Sequence, residues 1–260
     1  MSKDLKTNKV FDEVRKFITE DGLVDAGEIR YFENQLGRYN FLLERLVDNN
    51  ANEKKLLDVG SHLLHFATAA RIIGYQVCGT DVLFHLTMPQ TISRQNHFNI
   101  CVKECDLSLH AIPFNDASFD IVNFAETLEH LSFNPLPTLK ELYRVLKPGG
   151  SLFLTTPNVM RLGNRIKLLR GQNIYTSIEE FCIDIPYGIH YREYTLNEVK
   201  ALLIKTGFKI SVGKTLYFHL GHGMGKTMRK IMLLFFPSMA GNLFIEARKS
   251  DITDLNSSSI

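Results

Sequence analysis

The chain has 260 residues, 45% hydrophobic and 22% charged, which is enough for one large α/β domain with its own core. Thirty basic residues against 28 acidic ones leave a formal charge of +2, which argues against general nucleic-acid binding. The four cysteines lack paired spacing, the start MSKDLKTNKV has no signal-like apolar run, and no later run reaches membrane-spanning length. A cytoplasmic protein with reduced thiols is therefore expected, neither secreted nor membrane-spanning. His97, Cys101 and Cys105 fall short of the two complete ligand pairs that a zinc site needs.

The first fifty or so residues read as helices, with Tyr31, Phe32, Leu36, Tyr39, Leu43 and Leu46 at helical spacing until Asn49-Asn50 interrupts it. Strands and helices alternate from there. KKLLDVG is a strand, HFATAARIIGY a helix, YQVCGTDV and FNICVKECDL are strands, and FDIVNFAE is a fourth strand. A helix follows through LPTLKELYRVLK, and Lys147-Pro148-Gly149-Gly150 turns the chain into the strand SLFLTTPN. Thr195, with Glu198 at capping-box spacing, opens a helix from Leu196 to Thr206, and FKISVG and NLFIEARK complete the set. This alternation implies a parallel-rich sheet with helices on both faces. The expected organisation is a helical cap over residues 1–50, an α/β domain over 51–250 and a disordered tail over 251–260.

In such sheets ligands bind beyond the carboxyl ends of the strands. The first strand ends at Asp58-Val59-Gly60, the second at Asp81 and the third at Asp106. An acid at the position of Asp81 suits the hydroxyls of a ribose, and a glycine at 60 admits a close approach to the backbone. Asp106 is placed to face an adenine amino group.

The stretch DLSLHAIPFNDASFDIVNFAETLEHL, followed by LKELYRVLKPGGSLFLTTPN, closely resembles the class I S-adenosylmethionine (SAM)-dependent methyltransferases of the type 11 and 12 groups. The resemblance covers roughly Leu56 to Phe208. It implies a Rossmann-like, seven-stranded, mostly parallel sheet whose last strand is antiparallel, with SAM held by Asp58, Gly60, Ser61, Asp81, Asp106, Leu107 and Ala125. One departure stands out. Where the family has Gly-x-Gly-x-Gly, this chain reads Gly60-Ser61-His62-Leu63-Leu64. Either the altered loop works, or the fold has become a non-catalytic interaction module.

Glu126, Glu129 and His130 follow the fourth strand at spacings that share a helical face. That makes them acid-base candidates, although a solvated helix start has the same pattern. The Glu-x-x-Glu-His pattern is similar to that of ubiquinone-type and small-RNA 2′-O-methyltransferases. The resemblance implies a divalent cation, Mg2+ or Mn2+, on Glu126, Glu129, His130 and a later histidine, here His190. Without a metal, His130, His190 or Glu126 would serve in catalysis directly.

Leu142 to Ile178 contains no acid, and Arg161 and Arg165 lie four apart beside Leu162, Ile166 and Leu169. This segment, with HYREYT, resembles methyltransferases of bacterial surface-polysaccharide synthesis. The implied acceptor is a small molecule or glycan, phosphate-bearing or lipid-linked, held by Arg161, Arg165, Tyr191 and Arg192. The alternative acceptors are a quinone-type phenol or an RNA terminal ribose. GMGKTMRKIMLLFFPSMAG reads as a core or lid helix, a dimer contact, or a peripheral membrane contact.

Overall fold

A computed structural model describes residues 3–23, 25–47, 51–109, 111–183, 188–218 and 234–250, together with 225, 227, 230 and 231. The chain opens with α1 (Lys3–Glu20) and α2 (Ala26–Leu46). Asp25 caps α2 by accepting a hydrogen bond from the Glu28 amide at 2.7 Å. Next come β1 (Lys55–Val59), α3 (His65–Ile72), β2 (Gln76–Asp81), α4 (Leu83–Leu86), α5 (Pro89–Phe98) and β3 (Cys101–Glu104). β4 (Phe119–Ala125), α6 (Pro135–Val145), β5 (Leu146–Pro157), α7 (Leu162–Leu169), α8 (Ile178–Phe181), α9 (Leu196–Lys205), β6 (Lys209–Leu216) and β7 (Asn242–Arg248) complete the order.

The seven strands form one sheet in the order β3-β2-β1-β4-β5-β7-β6. β1 to β5 run parallel, and β7 inserts antiparallel between β5 and β6. The expected Rossmann-like sheet, including its reversed last strand, is therefore what forms.

Neighbouring strand residues point to opposite faces, so a strand buried on both sides reads as a near-continuous apolar run. Leu56, Ile121, Phe153 and Phe244 pack on the face that also receives Phe11 and Val14 of α1, Phe32, Leu42 and Leu43 of α2, and Ala67 and Ala70 of α3. Leu57, Val122, Leu152, Leu154 and Ile245 pack on the other face, with Leu139 and Leu142 of α6 and Val199 and Leu203 of α9. The capping box of α9 forms as the spacing required, with Thr195 and Glu198 bonded reciprocally.

Two local expectations need correction. Glu126, Glu129 and His130 do not share a helix. Glu126 has a left-handed φ of +51° directly after β4, and Leu128–His130 is a single 3-10 turn. The apolar stripe of α7 is not buried: Leu162 is half-buried, Ile166 and Leu169 are exposed, and the helix buries Asn164 instead. Asn164 is drawn in because its side-chain amide donates to the Val159 carbonyl at 2.9 Å. In the helix expected near 225–237, Lys226, Met228, Arg229, Met232 and Leu233 lie outside the described residues, as does the tail from 251. Ile231, Leu234, Phe235 and Phe236 are exposed. Among the described residues, no helix is long and apolar enough to cross a membrane.

Candidate active site

Strand order reverses between β1 and β4, so the loops leaving their carboxyl ends diverge and open a crevice. A cavity of about 640 Å³ fills it. Its walls carry Asp58, Gly60, Ser61, Asp81, Asp106, Leu107 and Ala125, all of the residues expected to hold the cofactor.

The altered glycine loop keeps its shape. Gly60, His62 and Leu64 have φ of +74°, +45° and +59°. The three glycine positions of the family pattern are thus left-handed here, two of them with side chains that disfavour that conformation by roughly 1–2 kcal/mol each. Neighbouring contacts hold the loop in place. The amides of Gly60 and Ser61 donate to the Thr80 carbonyl at 2.9 and 3.1 Å, and the His62 amide donates to Asp81 Oδ2 at 2.6 Å. Leu64 is fully buried in the core. At Gly60 the glycine is needed for the protein itself, because a Cβ there would lie 2.4 Å from Thr127 Oγ1.

A buried cluster anchors the loop to α2. Arg94 donates to the Leu63 carbonyl at 2.9 Å and pairs with Glu28, and Glu28 also bonds His65 Nε2 at 2.8 Å. Burial keeps the imidazole of His65 neutral, with its pKa pushed down to about 4. Burial, and then the neighbouring His85, do the same to His62, also to about 4.

Asp58 sits at the floor of the cavity and accepts from Asn123 Nδ2 at 2.7 Å. Burial raises its carboxyl to about 6. Asp106 accepts from the Ser108 amide at 2.8 Å, which turns the chain so that Leu107 and Ser108 also face the cavity.

The most informative residue that sequence patterning overlooked is Arg38. It is buried on α2, lines the cavity and lies 3.7 Å from Glu126. A seven-residue step from Tyr31 places it on the same face of α2, the one signal that marked it. Arg38 Nε and Glu126 Oε1 are buried without hydrogen-bond partners. A buried guanidinium with donors to spare suits a carboxylate ligand.

Farther along the wall, His130 lines the cavity with Nδ1 2.9 Å from the Ile189 carbonyl. A carbonyl can only accept, so Nδ1 carries the proton and Nε2 is left with a free lone pair. Burial, followed by the proximity of His190, lowers the His130 pKa and keeps the ring neutral. Glu129 lies behind it, fully buried, accepting from Thr156 Oγ1 at 2.9 Å. Burial raises Glu129 to about 7. Among the described residues, Glu129, His130 and His190 form one group whose ligand atoms lie within 4.8 Å of one another. Glu126 does not join it, because its left-handed backbone turns it toward Arg38. Of the four residues expected to share a metal, three come together.

The expected acceptor-binding residues separate. Tyr191 lines the cavity. Arg161 is paired with Glu193 and faces a second chamber of about 580 Å³ beyond His190. Arg192 is paired with Glu198 at 2.8 Å. Arg165 donates to the Met160 carbonyl at 2.8 Å and to Ser238 Oγ at 3.2 Å. These three guanidinium groups bind neighbouring elements of the protein, which a charge count along the sequence does not reveal.

A family profile described as a methyltransferase domain matches residues 31–211. The chain belongs to that family. The methyltransferase profile begins inside α2, so the helix carrying Tyr31, Arg38 and Tyr39 is part of the matched region. A ubiquinone biosynthesis O-methyltransferase from Haemophilus ducreyi is 33% identical over 129 residues, covering 46% of this chain and 52% of that protein. The chain thus spans about half the length of the curated relatives first matched. A SAM-dependent methyltransferase from Mesorhizobium loti superposes with a TM-score of 0.57 at 15% identity, covering 81% of this chain and 98% of the other. The [4+2]-cyclase SpnF superposes with a TM-score of 0.57 at 19% identity, covering 85% and 84%. At these identities the likeness concerns the methyltransferase fold, and the chemistry has to be argued from the site.

Proposed function

We propose that the protein is a SAM-dependent O-methyltransferase whose acceptor hydroxyl meets His130. The carrying observation is the free Nε2 of a neutral, half-buried imidazole on the wall of the cavity, with Nδ1 fixed by the Ile189 carbonyl. The residues present fit SAM. Asp81 and Asp106 sit at the strand ends where ribose and adenine are held, and Arg38 suits the methionine carboxylate. When bound, SAM supplies a methyl group already activated on a sulfonium. The chain's own work is to bring the acceptor oxygen into line and take its proton. His130 Nε2 would receive the hydroxyl proton as the acceptor oxygen takes the methyl group from the sulfonium, with S-adenosylhomocysteine as the leaving group.

For the acceptor we favour a quinone-type phenol. The Haemophilus ducreyi relative is named for ubiquinone biosynthesis. A groove bearing Leu131, Phe133, Tyr191 and Leu202 also adjoins the cavity and offers faces for an aromatic ring. A sugar hydroxyl is the second reading, favoured by Asn173, Thr176, Ser177 and Lys167 in the chamber beyond His190. Formation of S-adenosylhomocysteine with catechol-type and glycan acceptors, measured side by side, tests the activity and separates the two. No turnover with either, together with no SAM binding by calorimetry, overturns the enzymatic reading.

A metal-assisted version rests on the Glu129, His130 and His190 group. One buried carboxylate and two imidazoles fit a borderline cation such as manganese better than magnesium, which prefers an oxygen-rich shell. Such an ion would acidify the acceptor hydroxyl. Turnover unchanged by EDTA removes this version and leaves His130 as the base.

A further inference from the structure

Asp81 occupies the position that receives a ribose, yet its carboxylate is already largely engaged by the protein. Oδ1 accepts from the Val82 amide at 2.8 Å and faces His85 Nδ1 at 2.7 Å. Oδ2 accepts from the His62 amide at 2.6 Å. A carboxylate oxygen has two in-plane lone pairs, so Oδ1 is saturated and Oδ2 has one acceptor position left. A ribose presents two vicinal hydroxyls. Asp81 alone cannot accept from both while these bonds persist.

His85 supplies the missing position. It lies one helical turn after Asp81 on α4 and lines the same cavity. With Nδ1 donating to the carboxylate, Nε2 is left as an acceptor. Its ring is fixed edge-on against His62, with centroids 4.7 Å apart, and His62 in turn meets Tyr31 of α2 at 5.0 Å. The residue that replaces the second glycine of the loop thus forms the wall against which His85 rests.

We propose that the ribose of the cofactor is read by a divided site, one hydroxyl donating to Asp81 Oδ2 and the other to His85 Nε2, with His62 positioning His85. This rests on the cavity being the SAM site, and the test separates the two claims. Calorimetry with S-adenosylhomocysteine and its 2′-deoxy and 3′-deoxy analogues would be run on the wild-type protein, His85→Ala and His85→Gln. For the wild type, each deoxy analogue is expected to bind about fivefold to tenfold more weakly than the parent. His85→Ala should bind the parent weaker by a similar factor and become indifferent to the loss of one of the two hydroxyls. His85→Gln, whose amide can donate to Asp81 and accept from the ribose, should recover part of that discrimination. Circular dichroism melting would confirm that both variants are folded. If His85→Ala still penalises both deoxy analogues as the wild type does, the divided site is wrong although the cofactor reading stands. If the wild type binds none of the three ligands, the cofactor reading itself falls and the divided site with it.

Discussion

His130 and His190 meet edge to face with ring centroids 4.8 Å apart. One follows β4 and the other lies in the segment leading to α9, so two distant parts of the chain meet between the cavity and the chamber beyond it. The Ile189 carbonyl fixes His130, and Glu193 Oε1 holds His190 Nδ1 at 3.3 Å. Removal of the proton acceptor by His130→Ala is expected to lower kcat by roughly 10²- to 10⁴-fold. His190→Ala keeps the Ile189 carbonyl and should cost about tenfold or less. Steady-state kinetics with a fixed acceptor decides, and an unchanged kcat in His130→Ala would remove it from the mechanism.

Glu129 gives the protein a pH signature. Its carboxyl is raised from 4.5 to about 7 by burial, so the folded state holds a proton that the unfolded state releases earlier. The resulting stabilisation is complete below about pH 4.5 and is lost as the pH rises through about 7. The loss is on the order of 3 kcal/mol. Glu129→Gln removes this titration. Thermal melting from pH 5 to 8 should show the wild type losing stability relative to the variant, and parallel curves would contradict the assignment.

Arg38→Ala is expected to weaken binding of S-adenosylhomocysteine by about tenfold to a hundredfold, the cost of a lost charge-assisted bond. Binding of 5′-methylthioadenosine, which lacks the amino-acid part, should change little. Equal losses for both ligands would mean that Arg38 shapes the cavity without contacting the carboxylate.

The handedness of the loop can be tested by substitution. His62→Gly exchanges local strain for chain entropy and should stay within about 1 kcal/mol of the wild type. His62→Val puts a β-branched residue at positive φ and should cost about 2 kcal/mol or more. Leu64→Gly relieves strain but empties a fully buried site, a net loss of roughly 2–4 kcal/mol. Denaturant unfolding of the three variants is the measurement. Similar results for His62→Gly and His62→Val would contradict the left-handed assignment.

Much of this architecture was legible in the sequence because it is written in local patterns. Two-sided apolar strands, the capping box at Thr195 and the acids at successive strand ends each declare themselves within a few residues. What stayed hidden depends on meetings across the fold. Arg38 reads as an ordinary helical cation until Glu126 approaches it, and Arg161 reads as a phosphate ligand until Glu193 takes it. The helical spacing of Glu126, Glu129 and His130 misled for a related reason. Periodicity assumes a regular backbone, and the left-handed turn at Glu126 breaks it. His85 escaped notice because its partner, Asp81, was already assigned to the ligand.

The dihedral angles at positions 60, 62 and 64 bear on how relatives of this chain are found. The curve of the main chain around a ligand is the working part, and glycine is only the residue that reaches it most cheaply. A search spelled in glycines would pass over this protein, whereas one spelled in torsion angles would stop at it.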